Sequence, residues 1–331
     1  MTAGVRGGRI VARHTVRLAT LLFAATVVAF VLVSLSPIDP VQQYVLAAGA
    51  GASEEQRQAI AQYWGLNDPP VQRYGAWLSA VLRGDLGVST AFRRPVATII
   101  GERFGNTLAL MLVSWVFAGV IGYTLGALMG LFRDRWVDRV LKRICLVLYS
   151  TPTFWLGMVF LMLFAVQLGW FPIGFSTPIG TVNEDVTLAQ RVHHLILPAL
   201  TLSFVSFAQV ALHTRQKFVD VLGSDYVLFA RARGDDTLTI LRRHGVRNTL
   251  LPMVTLQFAS FGELFGGSIL AENVFSYPGL GTAVSTAGLQ SDVPLLLGIT
   301  LFSAAFVFVG NSLANIIYGI VDPRISEERP T

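Results

Sequence analysis

Charge is scarce in this chain of 331 residues. Asp, Glu, Lys and Arg make up 14% of it, against about 25% in soluble domains. That shortfall excludes an ordinary water-soluble fold. The hydrophobic residues, 53% of the total, gather in runs of about twenty, the length a helix needs to cross roughly 30 Å of hydrocarbon. The runs are continuous rather than alternating, which excludes a membrane β-barrel. Helices remain, because in lipid the backbone has to satisfy its own hydrogen bonds.

Cysteine is nearly absent. Cys145 stands alone inside an apolar run, so no internal disulfide is available and the residue reads as packing. Lysine is almost as rare. Lys142 and Lys217 follow Leu and Gln, so neither closes a GxxxxGK[ST] phosphate cradle. The five histidines make no HExxH and no ligand cluster, and the adjacent His193 and His194 would diverge on a helix. No nucleophile–base arrangement can be read, and neither catalytic residues nor a bound metal or cofactor is expected. If the chain moves something uphill, the energy comes from a partner or an ion gradient.

What is present is an all-α integral membrane protein with six expected spans, at about 18–36, 105–131, 144–168, 195–214, 250–271 and 293–320. The distribution of Arg and Lys sets the orientation. Arg6, Arg9, Arg13 and Arg17 lie before the first span, and Arg133, Arg135, Arg139, Lys142 and Arg143 between the second and third. Arg215, Lys217, Arg231, Arg233, Arg242, Arg243 and Arg247 fall between the fourth and fifth, and Arg324 and Arg329 after the sixth. All of these share one face, so both termini are expected in the cytoplasm. The net charge of +5 then needs no nucleic-acid partner.

The expected organisation is a basic leader (1–17), a first span (18–36) and an extracytoplasmic segment (37–104). A five-helix core (105–320) with a cytoplasmic loop (215–249) and a tail (321–331) complete it. Pro37 and Asp39 follow the first apolar run without a clear cleavage site, so that run reads as an uncleaved helix. In the extracytoplasmic segment, Val71, Tyr74, Trp77, Leu78, Val81 and Leu82 recur at helical spacing. They predict an amphipathic helix on the membrane or over the bundle.

Within the spans, Ala118, Gly122, Gly126 and Gly130 repeat every fourth residue, as do Gly262 and Gly266. Small residues at that spacing let helices approach closely. Polar residues are few: Gln209, Gln257, Glu263, Asn311 and Asn315. Of these, Gln257, Glu263 and Asn311 are candidates for a translocation pathway, because ionisable and polar groups in lipid are costly.

The stretch "ARARGDDTLTILRRHGVRNTLLP" (230–252) is dense in charge of both signs. Ser224 can cap a short helix over 225–233 that Gly234 ends. Asp236 can cap a second helix, with Arg242 and Arg243 near its C-terminus to match the dipole. Tyr226, Phe229 and Ala230 share one side of the first helix and would offer a partner an apolar face rimmed by charge. A solvated loop that only fixes orientation is the alternative.

"DYVLFARARGDDTLTILRRHGVRNTLLPMVTL" (225–256), "GGSILAENVFSYPGLGTAV" (266–284), "VDPRI" (321–325) and "WGLNDPPVQRYGAWLSAVLRGDLGVS" (64–89) together resemble the permeases of bacterial ABC importers, in the dipeptide/oligopeptide (peptide/nickel) branch. The family's loop begins Glu-Ala-Ala with a glycine four residues after the second Ala. Aligned on Gly234, this chain keeps Ala230 but has Leu228 and Phe229 in the first two places.

The resemblance implies a type I importer permease fold in the bacterial plasma (inner) membrane. It also implies a second, similar permease, two cytoplasmic ATP-binding subunits that use ATP and Mg, and an extracytoplasmic solute-binding protein. The chain itself would be non-catalytic. Its ATPase-coupling residues would be Tyr226, Phe229, Ala230, Arg233, Gly234 and Asp235. Substrates would be di- or oligopeptides, or a related solute such as nickel, haem or a glycoside. The alternative is a secondary transporter driven by an ion gradient, with Glu263 as coupling carboxylate; against it, no inverted repeat is visible. A membrane-embedded enzyme is the weakest reading.

Overall fold

The computed structural model describes residues 2–35, 41, 42, 45, 53–63, 67–181 and 185–321, with backbone alone at 2–14, 33, 205 and 315–321. Pro37, Asp39, most of the tail with Arg324 and Arg329, and the side chains of Arg6, Arg9, Arg13 and Asn315 lie outside the described residues. Among the described residues every extended element is helical, in two compact units. The first comprises residues 1–105 and 279–309, the second 106–278 and 310–331.

Among the described residues, three helices contain stretches long and apolar enough to span a membrane: α1 (Thr2–Ser34), α4 (Val96–Leu131) and α13 (Val293–Val321). The qualifying stretches are Thr15–Leu32, Val96–Leu131 and Val293–Ala314. Three more candidate spans are bent pairs: Trp136–Tyr149 with Thr153–Gln167, Leu188–Phe204 with Ser206–Leu222, and Thr237–Ala259 with Phe261–Val274. There are six if each pair counts as one span. The helix carrying 105–131 starts earlier, at Val96, and that carrying 18–36 starts at Thr2.

In the first unit, α2 (Glu54–Tyr63) and α3 (Pro70–Leu82) follow α1, and α12 (Leu280–Leu289) precedes α13. Tyr74 turns α3 toward α1, its Oη 2.9 Å from Thr26 Oγ1 and its ring edge-on to Phe30, whereas Val71 and Leu82, at the ends of the expected stripe, are exposed. The helix therefore covers an apolar neighbour. The loop after it is anchored by Asp292, which is fully buried. Its carboxylate accepts from Ser89 Oγ and, at 3.0 Å, from the Ala91 N–H. The same side chain accepts from Leu295 N–H at 3.1 Å and so caps the first turn of α13.

In the second unit, α5 (Trp136–Tyr149) meets α6 (Thr153–Phe160, continued as a wide π turn to Gln167) at 108°. The apolar run at 144–168 is thus not a straight helix, and the sequence states the cause. Pro152 has no N–H to donate and forces Thr151 away from helical geometry; it is itself extended, at φ −62° and ψ 135°.

The long α7 (Leu188–Leu222) opens with a capping box in which Thr187 and Gln190 satisfy each other's backbone. His193 and His194 donate to the carbonyls of Trp170 and Gly174, each at 2.9 Å, and so hold the preceding loop.

The glycine row of α4 packs on α7. A Cβ at Gly126 would come within 2.6 Å of the Ala211 carbonyl and Thr214, and one at Gly122 within 2.8 Å of the Phe207 carbonyl. Behind it Ala118, Met129, Cys145, Phe207, Ala208 and Ala211 form a buried cluster. Gly266, expected on a similar face, instead meets nothing within 4 Å; its neighbour Gly267 packs on Leu202.

Candidate functional site: a coupling loop and a polar bend

After α7 the chain forms α8 (Asp225–Ala232) and α9 (Thr237–Ile240). Gly234 separates them in the left-handed region at φ 89°, where a side chain would be strained. The Asp235 N–H returns to the Ala230 carbonyl at 3.1 Å and closes the end of α8. Asp236 caps α9 by accepting from the Thr239 N–H at 3.3 Å; the Thr239 side chain first, and the surrounding backbone N–H groups after it, hold its carboxyl below the usual range.

Two expected details differ. Ser224 does not cap α8, because its hydroxyl turns back and donates to the Val221 carbonyl at 2.6 Å. Arg242 and Arg243 do not sit at a helix C-terminus. The chain runs on through a π turn, Leu241–Val246, into α10 (Arg247–Ala259).

The larger correction concerns Ala230. Tyr226, Phe229 and Ala230 do not form one outward face. Ala230 is 1% exposed and packs with Val227 and Ile240. Phe229 is 75% exposed, and Tyr226 and Leu228 are exposed beside it. Tyr226 stacks obliquely on His244, with centroids 5.5 Å apart. The two short helices therefore clasp a small core of their own and hold Phe229 outward. Arg233 is exposed and only loosely paired with Asp235, at 3.7 Å.

The pathway candidates separate. Gln257 is buried, and its side-chain amide donates to the Trp115 carbonyl while its own carbonyl accepts from Trp115 Nε1 at 3.3 Å. Those bonds make it a fastener between α10 and α4. Glu263 is exposed in the first turn of α11 (Phe261–Val274), just beyond the 57° bend at Ser260. Asn311 is exposed on α13. Gly310 lies against the Phe261 ring, so Glu263 and Asn311 each stand within two residues of that contact. The structure forms no hydrogen bond between them.

Other polar groups escaped the sequence reading. Glu272 is fully buried and accepts from Thr107 Oγ1 at 2.7 Å, while Asn106 Nδ2 donates to the Pro278 carbonyl at 2.8 Å. The first bond ties α4 to α11 and the second ties it to the turn beyond. Burial in that turn, with the Glu272 charge second, pushes the Tyr277 phenol up to about 12. Asp138 is buried on α5 and takes both arms of the Arg215 guanidinium at 2.6 Å. An apolar helix followed by one carboxylate hints at such a pair, but not at its partner.

Several relatives are similar over nearly the whole length. The oligopeptide transport system permease protein AppB of Bacillus subtilis (strain 168) is 36% identical over 95% of this chain and 98% of its own. The glutathione transport system permease protein GsiC of Escherichia coli (strain K12) is 37% identical over 92% of this chain and 94% of its own. Among solved structures, the inward-facing MetNI methionine ABC transporter covers 66% of this chain and 96% of its own at 18% identity, with a TM-score of 0.47. No finding supports the ion-gradient alternative. Residues 122–327, which include the charged loop and the bend at Ser260, match the family described as binding-protein-dependent transport system inner membrane components, and the chain belongs to that family.

Proposed function

We propose that this chain is the permease half of an ATP-driven importer of peptides or a related small solute. Its energy would come from two cytoplasmic ATP-binding subunits using ATP and Mg, and its cargo from an extracytoplasmic solute-binding protein. A second, similar permease would complete the pathway. The AppB and GsiC names support the cargo class, since both are permeases of peptide systems. The positive-inside distribution supports the orientation, with both termini and the loop 215–249 in the cytoplasm.

The observation that carries the reading is Phe229. A large aromatic residue is held outward on a helix fixed from behind by Val227, Ala230 and Ile240. Rigid aromatic anchors of this kind dominate the energetics of protein interfaces when a partner's pocket receives them. Tyr226 flanks the anchor, Arg233 and Asp235 form its polar rim, and Gly234 makes the reversal that presents it. Glu263 and Asn311 are the residues proposed to line the solute route; Gln257 is proposed to hold α10 in place beside it.

The test is co-purification. Phe229→Ala keeps the loop core intact and should leave the membrane level of the chain unchanged. Capture of the ATP-binding subunits should fall by at least tenfold, the loss of about 1.4 kcal/mol or more expected of an interface anchor. Full capture with Phe229→Ala would remove the loop from the coupling role.

A further inference from the structure

We propose that α5 (Trp136–Tyr149) lies in the membrane–water boundary and binds anionic lipid headgroups. Its direction is the first observation. The 108° turn at 150–152 sets α5 across α6, so that if α6 passes into the bilayer, α5 runs along its surface. The second observation is the division of its circumference. At about 100° per residue, Asp138, Leu141, Cys145 and Leu148 fall on one side, and these are the residues turned inward. The Asp138–Arg215 pair locks that side to α7.

The outward side carries two stripes. Trp136, Val140, Ile144 and Val147 form one, all exposed; Trp136 is 70% exposed and Val147 66%. Arg139, Lys142 and Arg143 form the other, also exposed, with exposed Leu146 among them and Arg133 and Arg135 just before the helix. Arg133 has Asp134 at 3.2 Å. Among the described residues none of Arg139, Lys142 and Arg143 makes an ion pair with a carboxylate.

A protein groove would receive an apolar stripe and need acidic residues for three unpaired cations. An anionic lipid surface receives both at once. The apolar stripe enters the acyl boundary, the cations reach the headgroups, and Trp136 sits at the interface that indole rings prefer. The charge complementarity therefore selects phosphate-bearing anionic lipid. The reading does not depend on which leaflet α5 occupies.

The experiment places nitroxide labels on the full chain at Val147→Cys and Arg139→Cys, one at a time, in phosphatidylcholine vesicles with phosphatidylglycerol. Buried Cys145 is first checked for lack of labelling. Collisions with oxygen should dominate at 147, and collisions with a water-soluble nickel chelate should rise at 139. Nickel-dominated collisions at 147 would put the stripe in water. Low collision with both reagents and an immobilised spectrum would put it against protein. Either result overturns the proposal.

Headgroup selection is read separately, as the ratio of phosphatidylglycerol to phosphatidylcholine that stays with the purified chain by native mass spectrometry. Each Arg or Lys changed to Gln at 139, 142 and 143 should lower that ratio, by up to about fivefold per cation. These residues are exposed and unpaired, so the variants should fold. An unchanged ratio in the triple variant would leave no role for the basic stripe.

Discussion

Ala230 and Phe229 are neighbours in one short helix, yet a substitution at each asks a different question. Ala230→Asp puts a carboxylate into the Val227–Ile240 contact, where an unpaired charge is costly. The loop should open, and limited proteolysis between residues 225 and 246 should speed up even with no partner present. Phe229→Asp leaves that contact alone, so the loop should resist protease as the unmodified chain does. Equal protease resistance in Ala230→Asp would contradict the buried placement. Asp138 makes a second residue-scale test. Asp138→Asn leaves the largely enclosed Arg215 without its bidentate partner, and breaking such a pair costs about 3 kcal/mol. Thermal unfolding in detergent should shift down accordingly. Joint replacement by Asp138→Leu and Arg215→Met should recover most of the loss. The inward turn of Ala230 was not legible in the sequence. Helical spacing placed it near Tyr226, but which side faces in is decided by Ile240, ten residues on and beyond the reversal at Gly234.

Among the elements, the α4–α7 contact was the most legible. A glycine row at every fourth position says that two backbones approach, and Gly122 and Gly126 meet the backbone of α7. Gly126→Leu should therefore force the helices apart, with overpacking of about 1–3 kcal/mol read as a lower unfolding temperature. Gly266→Ala, with open space around it, should change little. A harmless Gly126→Leu would mean the helices are not close there. The same spacing misled at Gly266, because small residues also occur where a helix faces open space. The break between α5 and α6 was half legible. The run at 144–168 was expected as one span, although Pro152 marks the break; hydropathy measures only composition, and the apolar run continues through a change of direction. The buried carboxylates were least legible. Glu272 and Asp292 owe their burial to Thr107 and Ser89, both far away in sequence, and a local pattern cannot reveal such partners.

At the scale of the molecule, the chain is a helical membrane protein whose loop after α7 holds Phe229 outward, the surface proposed above to engage the ATP-binding subunits. Its composition alone fixed the membrane class, while the family came from motifs spread through the chain and from relatives covering almost all of it. The central claim is that transport is energised by partner subunits docked on that loop. Proteoliposomes holding this chain, its companion permease and the two ATP-binding subunits, with the solute-binding protein and a labelled peptide outside, test it most directly. Peptide uptake should require ATP with Mg on the side of the ATP-binding subunits, should vanish without them, and should be indifferent to agents that collapse ion gradients. Uptake by this chain without the ATP-binding subunits, driven by a proton or sodium gradient and lost in Glu263→Gln, would contradict the account.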